Sequence, residues 1–296
     1  MPFLGEISAL VTAFLWAGTS IVFTEATILA GSVPVNLIRM ISSIFFLGVT
    51  VLIFQLDVNI SFMQILYLSL SGIIGLVVGD GSLLKAFEKI GPRLSMLIYA
   101  LSPAMAALLA FFYLDEILSF WGIIGMFVTI FGIGIVVFQR SGNGKSRAQI
   151  CWSGILFALL GALGQAVGLI FAKQAFNLGG INGFVATLFR VTGSLIILYP
   201  FAVLTGRFKS PIVKFKKEKR AFVLTITGSF FSTYLGITLS LIAIAYTYIG
   251  VAATIMATVP IILLPLSKFY YKEKLSKISI IGAFLAVGGI AILFMK

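Results

Sequence analysis

The sequence predicts an all-α integral membrane protein of ten transmembrane helices, arranged as two inverted five-helix repeats. Three observations carry this prediction. The chain of 296 residues is 60% hydrophobic and only 10% charged, with a mean hydropathy of +1.15, which leaves too little polar surface to face water on all sides. Its apolar residues gather into runs of about twenty, the length a helix needs to cross the hydrocarbon of a bilayer. The run 93–138 also lies on the run 250–295 at a constant spacing of 157, with identities that include Pro103/Pro260, Glu116/Glu273, Gly125/Gly282 and Gly132/Gly289. Shared greasiness does not align Pro, Glu and two Gly without a gap.

In chain order the predicted spans are roughly 4–29, 35–54, 65–86, 94–113, 120–138, 150–176, 184–204, 221–243, 251–269 and 278–295. Asp115-Glu116 separates the fourth from the fifth, and Lys272-Glu273-Lys274 the ninth from the tenth, so each closing pair turns within a few residues and its helices are antiparallel neighbours. The duplication reaches the other spans with small changes of register. Gly79 and Ala86 fall on Gly236 and Ala243 at the spacing of 157, while Arg39, Ser43 and Leu47 fall on Arg190, Ser194 and Leu198 at 151. The expected domains are a first repeat at 1–139, a cytoplasmic linker at 140–149 and a second repeat at 150–296. Five spans is an odd number, so the second repeat enters the bilayer from the opposite face. Inverted repeats of this kind are typical of secondary transporters.

Orientation follows from the basic residues. Of the 21 Lys and Arg, 17 lie in the connections after the third, fifth, seventh and ninth spans; Lys173 and Lys296 belong to the other side, and Arg39 and Arg190 lie just inside spans. The positive-inside rule makes those connections cytoplasmic and places both termini outside the cytoplasm. The net charge of +12 is spread over short breaks between apolar runs, so membrane lipids are its expected partner and nucleic acid is not. The first span lacks the basic flank of a signal peptide, and no cleavable segment is expected. Histidine is absent and Cys151 is the single cysteine. Imidazole catalysis, an internal disulfide and Cys/His metal clusters are thereby excluded, and neither metal nor cofactor is expected. Trp121 and Trp152, at span ends, read as interface anchors, and Cys151 beside Trp152 as inert.

Asp80 is the strongest candidate for chemistry. It sits in Gly75-Leu-Val-Val-Gly-Asp-Gly-Ser82, where three glycines can break the third helix, and a carboxylate within a span is costly unless paired or hydrated. It either faces a cavity, binding a substrate amine or exchanging a proton, or pairs near the cytoplasmic rim with Lys85, about 7 Å further along the helix. Asp80→Asn is expected to abolish transport at normal membrane levels. Trp16 and Gln165 occupy matching places in the first and sixth spans and are candidates for substrate contact beside plain packing. Gly75-x-x-x-Gly79 and Gly164-x-x-x-Gly168 read as close helix contacts. Tyr99, Tyr234 and Tyr246, with Ser232 and Thr233, are candidates to line a central path. Pro103 and Pro260 are expected to kink their helices. Lys173, Arg39 and Arg190 are explained by snorkelling to headgroups, although a cationic pair beside a cavity suits an anionic metabolite. Glu116 and Glu273 read as capping or hairpin residues.

The pattern of Pro103 with Glu116-Ile-Leu-Ser119, repeated as Pro260 with Glu273-Lys-Leu-Ser276, resembles the closing hairpins of the EamA family of the drug/metabolite transporter superfamily. Trp16-Ala-Gly-Thr-Ser20, Arg39 and Arg190 match its opening and second helices, and Gly79-Asp80, followed by Ala86 and Ile90-Gly91, matches a subgroup with Gly-Asp in the third helix. The likeness covers nearly the whole chain. It implies a cell-membrane (inner or plasma) carrier of amino acids or related small metabolites, often exported, with a small-molecule substrate and possible coupling to protons through Asp80. Typical members have cytoplasmic termini, whereas the charge count here implies the reverse. The expectation is alternating access in a monomer or homodimer that is not an enzyme. The alternatives are a channel or uniporter, or an integral-membrane enzyme, for which the acidic residues are too scattered.

Overall fold

The computed structural model describes residues 3–113, 119–142, 151–204, 215, 218–247, 249–272 and 276–293, and among these all regular structure is helical. Eight helical stretches are long and apolar enough to cross a membrane. The first half comprises α1 Leu4–Ala30, α2 Ser32–Ile53, α3 Phe62–Gly72, a π-helical segment π1 Ile73–Asp80, α4 Gly81–Tyr99, α5 Ser102–Tyr113 and α6 Phe120–Gly142. The second comprises α7 Trp152–Asn177, α8 Gly183–Leu204, α9 Lys219–Gly228, π2 Ser229–Ile237, α10 Thr238–Tyr246, α11 Ile249–Met256, α12 Val259–Tyr270 and α13 Lys277–Leu293.

The third and fourth predicted spans are joined more closely than expected. Phe62–Tyr99 forms one apolar stretch of 38 residues, interrupted only at Gly91, whose φ of 77° and ψ of 169° leave the helical region. Glycine adopts that φ without steric cost, and Pro92 then restarts the helix where its missing N–H is not needed. The fourth and ninth predicted spans are each broken into two helices at matching places. Leu101 N donates to Ile98 O at 3.0 Å, and Thr258 N donates to Ile255 O at 3.1 Å, tight turns that lie two residues before Pro103 and Pro260.

The equivalent helices α6 and α13 settle how the halves are related. A methyl group on Gly125 would strike Gly289 O and the backbone of Leu293, and one on Gly132 would strike Gly282 O and Ala286 N. Advancing along α6 therefore means retreating along α13, so the repeats are inverted. Thr129 Oγ1 donates across this seam to Ala286 O at 3.3 Å, a pair again 157 apart. Contacts are exchanged between halves in the same reciprocal way: π1 and α4 pack on α7, while π2 and α10 pack on α1. Large apolar side chains such as Phe45, Leu52, Phe127 and Phe131 cover the outside, the surface a bilayer would solvate.

Candidate functional site

The π segments occupy equivalent positions in the two halves, at the third span of each. A π turn widens the helix by one residue and detaches backbone carbonyls from the regular ladder. Side chains meet two of them: Asn36 Nδ2 donates to Leu76 O inside π1 at 3.1 Å, and Thr12 Oγ1 donates to Gly236 O inside π2 at 3.4 Å. Asp80 is the last residue of π1.

Close packing fixes where Asp80 points. A methyl on Gly164 would lie 2.6 Å from Gly79 Cα, and one on Gly168 would lie 3.0 Å from Gly75 Cα, so α7 and π1 touch backbone to backbone through the two Gly-x-x-x-Gly pairs. Ser71 Oγ donates to Gly168 O at 2.6 Å and locks the register. Asp80 then faces a cavity between the halves, with about 550 Å³ of space not filled by atoms, part of it open to solvent. Its lining is mixed, with apolar Phe23, Leu83, Phe87 and Met96 and polar Thr19, Ser20, Ser232 and Ser240.

Four of the five residues expected at a substrate site meet here. Trp16, Asp80, Tyr99 and Gln165 all line the cavity. Tyr234 stands apart from it: its hydroxyl is 2.8 Å from Thr50 Oγ1, and its ring packs among Phe46, Phe184 and Phe230. Of the other path candidates, Ser232 lines the cavity, Thr233 is buried and Tyr246 is exposed.

Asp80 does not pair with Lys85, which instead grips Glu88 at 2.8 Å. Its partner is Arg39, with Nη2 at 2.9 Å from Oδ2, and Tyr99 donates its hydroxyl to Oδ1 at 3.4 Å. Arg39 also lies over the Phe23 ring, 5.6 Å from its centroid. Neither Arg39 nor Arg190 snorkels; they are 3% and 1% exposed, and both line the cavity. The two are held alike, with Ser43 Oγ donating to Arg39 O and Ser194 Oγ donating to Arg190 O, at 2.8 and 2.7 Å. Nε is unpartnered in both, but the heads differ at Nη2, which meets Asp80 in Arg39 and has no hydrogen-bond partner in Arg190. Sequence reading favoured snorkelling for both arginines and held a cationic pair beside a cavity as the second reading; the structure places both at the cavity. The signal that pointed to them was their alignment within spans at a spacing of 151. Lys173 approaches Ile244 O at 3.5 Å. Glu25 binds Arg220 at 2.7 Å and accepts the Tyr270 hydroxyl. Glu116 and Glu273 lie outside the described residues.

An apolar helical chain folded as two inverted repeats around a cavity of mixed polar and apolar lining has the form of a solute transporter. The EamA-like transporter family matches residues 3–138 and again 152–295, and the chain belongs to that family. It is 30% identical over 120 residues to the uncharacterized transporter YxxF of Bacillus subtilis (strain 168), across 40% of this chain and 37% of that protein. It is 32% identical over 130 residues to the WAT1-related protein At5g64700 of Arabidopsis thaliana, across 42% of this chain and 35% of that one. These alignments span little more than a third of either relative. Its fold is similar to that of a protein in a crystal structure, with a TM-score of 0.64 and 15% identity over 98% of this chain and 96% of the other.

Proposed function

We propose that this protein is a secondary carrier of a small organic metabolite, amino-acid-like or related, working by alternating access in a cell membrane, with export as the expected direction. The observation that carries the reading is the cavity between the halves, walled by α1, α2, π1 and α4 of one repeat and by α7, α8, π2 and α10 of the other. Rocking the repeats against each other opens such a cavity to one face and then the other. The proposal includes ten spans, domains at 1–139 and 150–296 joined by a cytoplasmic linker, and termini outside the cytoplasm. It also leaves Asp80 as the acid for any proton coupling, which requires the Arg39 pair to open first. Family membership favours a carrier over an enzyme.

Counterflow in proteoliposomes tests the function. Vesicles preloaded with a transported solute are expected to accumulate labelled solute transiently above equilibrium, as a carrier does and a pore does not. Simple monotonic equilibration refutes the carrier reading. Orientation is tested at Cys151, the single cysteine, which is partly exposed just before α7. A membrane-impermeant maleimide is expected to label it only after cells are permeabilised; labelling of intact cells would place this end of α7 outside and reverse the topology.

A further inference from the structure

The duplication provides an internal comparison at the cavity. Arg39 and Arg190 are repeat equivalents, and each is anchored through its carbonyl by the serine one turn on. Asp80, the acid that neutralises Arg39, falls at the spacing of 157 on Ile237. Ile237 lines the same cavity as Arg190. The second repeat therefore supplies no acid for Arg190, which feels Asp80 only from a distance while the direct ion pair goes to Arg39. At 1% exposure, with Nε and Nη2 unpartnered, a guanidinium that shares a single carboxylate with Arg39 is costly to bury unless a second anion reaches it.

The neighbourhood is shaped to keep it there. A methyl on Gly72 would overlap the Arg190 carbonyl, and one on Gly75 would lie 2.7 Å from Nη2. Glycine at both positions lets the arginine lie against π1 and reach the cavity. Arg39, Arg190 and Asp80 together leave one positive charge uncompensated at the wall. Phe23, Leu83, Phe87 and Met96 give the same cavity apolar lining.

Resting on the carrier reading above, and narrowing its metabolite to related acids that lack an ammonium group, we infer that the substrate is a compact organic monoanion with an apolar body, whose carboxylate or equivalent oxyanion pairs with Arg190. A zwitterion, having its own ammonium group, leaves the extra positive charge unbalanced, and a cation adds to it. The ion pair formed with substrate is charge-assisted and desolvated, so its loss costs about tenfold or more in affinity.

The test compares three probes that share one aromatic body: phenylacetate, phenylacetamide and phenethylamine. Binding to the purified full chain in detergent is measured by equilibrium dialysis. Phenylacetate is expected to bind at least about tenfold tighter than the amide, with the amine weakest. Arg190→Met is expected to abolish that preference. It is also expected to raise the melting temperature without ligand, because it removes an unpaired buried charge, so lost binding is not lost folding. Gly75→Ala, which crowds Nη2 alone, is expected to weaken phenylacetate and leave the amide unchanged. Equal binding of acid and amide, no binding of phenylacetate at millimolar concentration, or undiminished preference in Arg190→Met overturns the inference. If phenylacetate binds through Arg190 but shows no counterflow, the carrier reading fails and the anion site stands. If counterflow is found only for neutral or cationic solutes, the reverse holds.

Discussion

Asp80→Asn is expected to abolish transport and to lower stability by about 3 kcal/mol, the scale for breaking a buried ion pair by removing one partner. The pair with Arg39 at 2.9 Å is buried among the helices, with the two side chains 4% and 12% exposed. Asparagine keeps the shape but leaves the Arg39 charge buried and unmet. This refines the expectation from sequence, which gave normal membrane levels: the variant is folded but less stable in detergent. Replacing both partners with apolar residues of similar volume, as in Arg39→Met/Asp80→Leu, is expected to restore most of the stability and none of the transport. Melting temperatures and initial transport rates of the two variants check this, and normal transport by either one removes the pair from the mechanism.

The second large effect is at the seam between π1 and α7. Gly164→Ala is expected to destabilise the protein by about 3 kcal/mol or more, because the new methyl lies 2.6 Å from Gly79 Cα and 2.8 Å from Gly79 N, and backbone cannot step aside as a side chain does. Gly134→Ala is its control. No atom lies within 4 Å of a methyl built on Gly134, so that substitution is expected to stabilise slightly through helix propensity, by up to about 1 kcal/mol. Folded yield by gel filtration and the melting temperature distinguish them. Equal behaviour of the two variants would mean that the π1–α7 contact is loose.

Much of this architecture was legible in the sequence because it depends on composition and register. Apolar runs fix the helices, and the 157 spacing of Gly125/Gly282 and Gly132/Gly289 found the helices that now meet across the seam. Asp80 stood out because a lone carboxylate among glycines in a span demands an explanation. Its partner did not, because Lys85 is five residues away while Arg39 is forty-one residues away on another helix, and pairing between spans depends on packing that no local pattern reveals. Arg39 and Arg190 read first as snorkelling cations for the same reason: their places near span ends suggested water, yet Asp80 of π1 meets Arg39 and Gly75 of π1 lies against Arg190. The π segments were hidden because one extra residue in a turn leaves an apolar run unchanged. Tyr234 drew notice as a polar aromatic, but its hydroxyl is met by Thr50 and its ring by phenylalanines.

The central claim is that the wall between the repeats is presented to each side of the membrane in turn. It is tested most directly by a single cysteine at Ser232, which lines the cavity from π2, in a Cys151→Ser background. Reconstituted protein of known orientation is treated with an impermeant thiol reagent from one face or the other. Modification from either face, slowed from both by a transported solute, is the predicted result. Modification from one face alone, whatever solute is added, would contradict it.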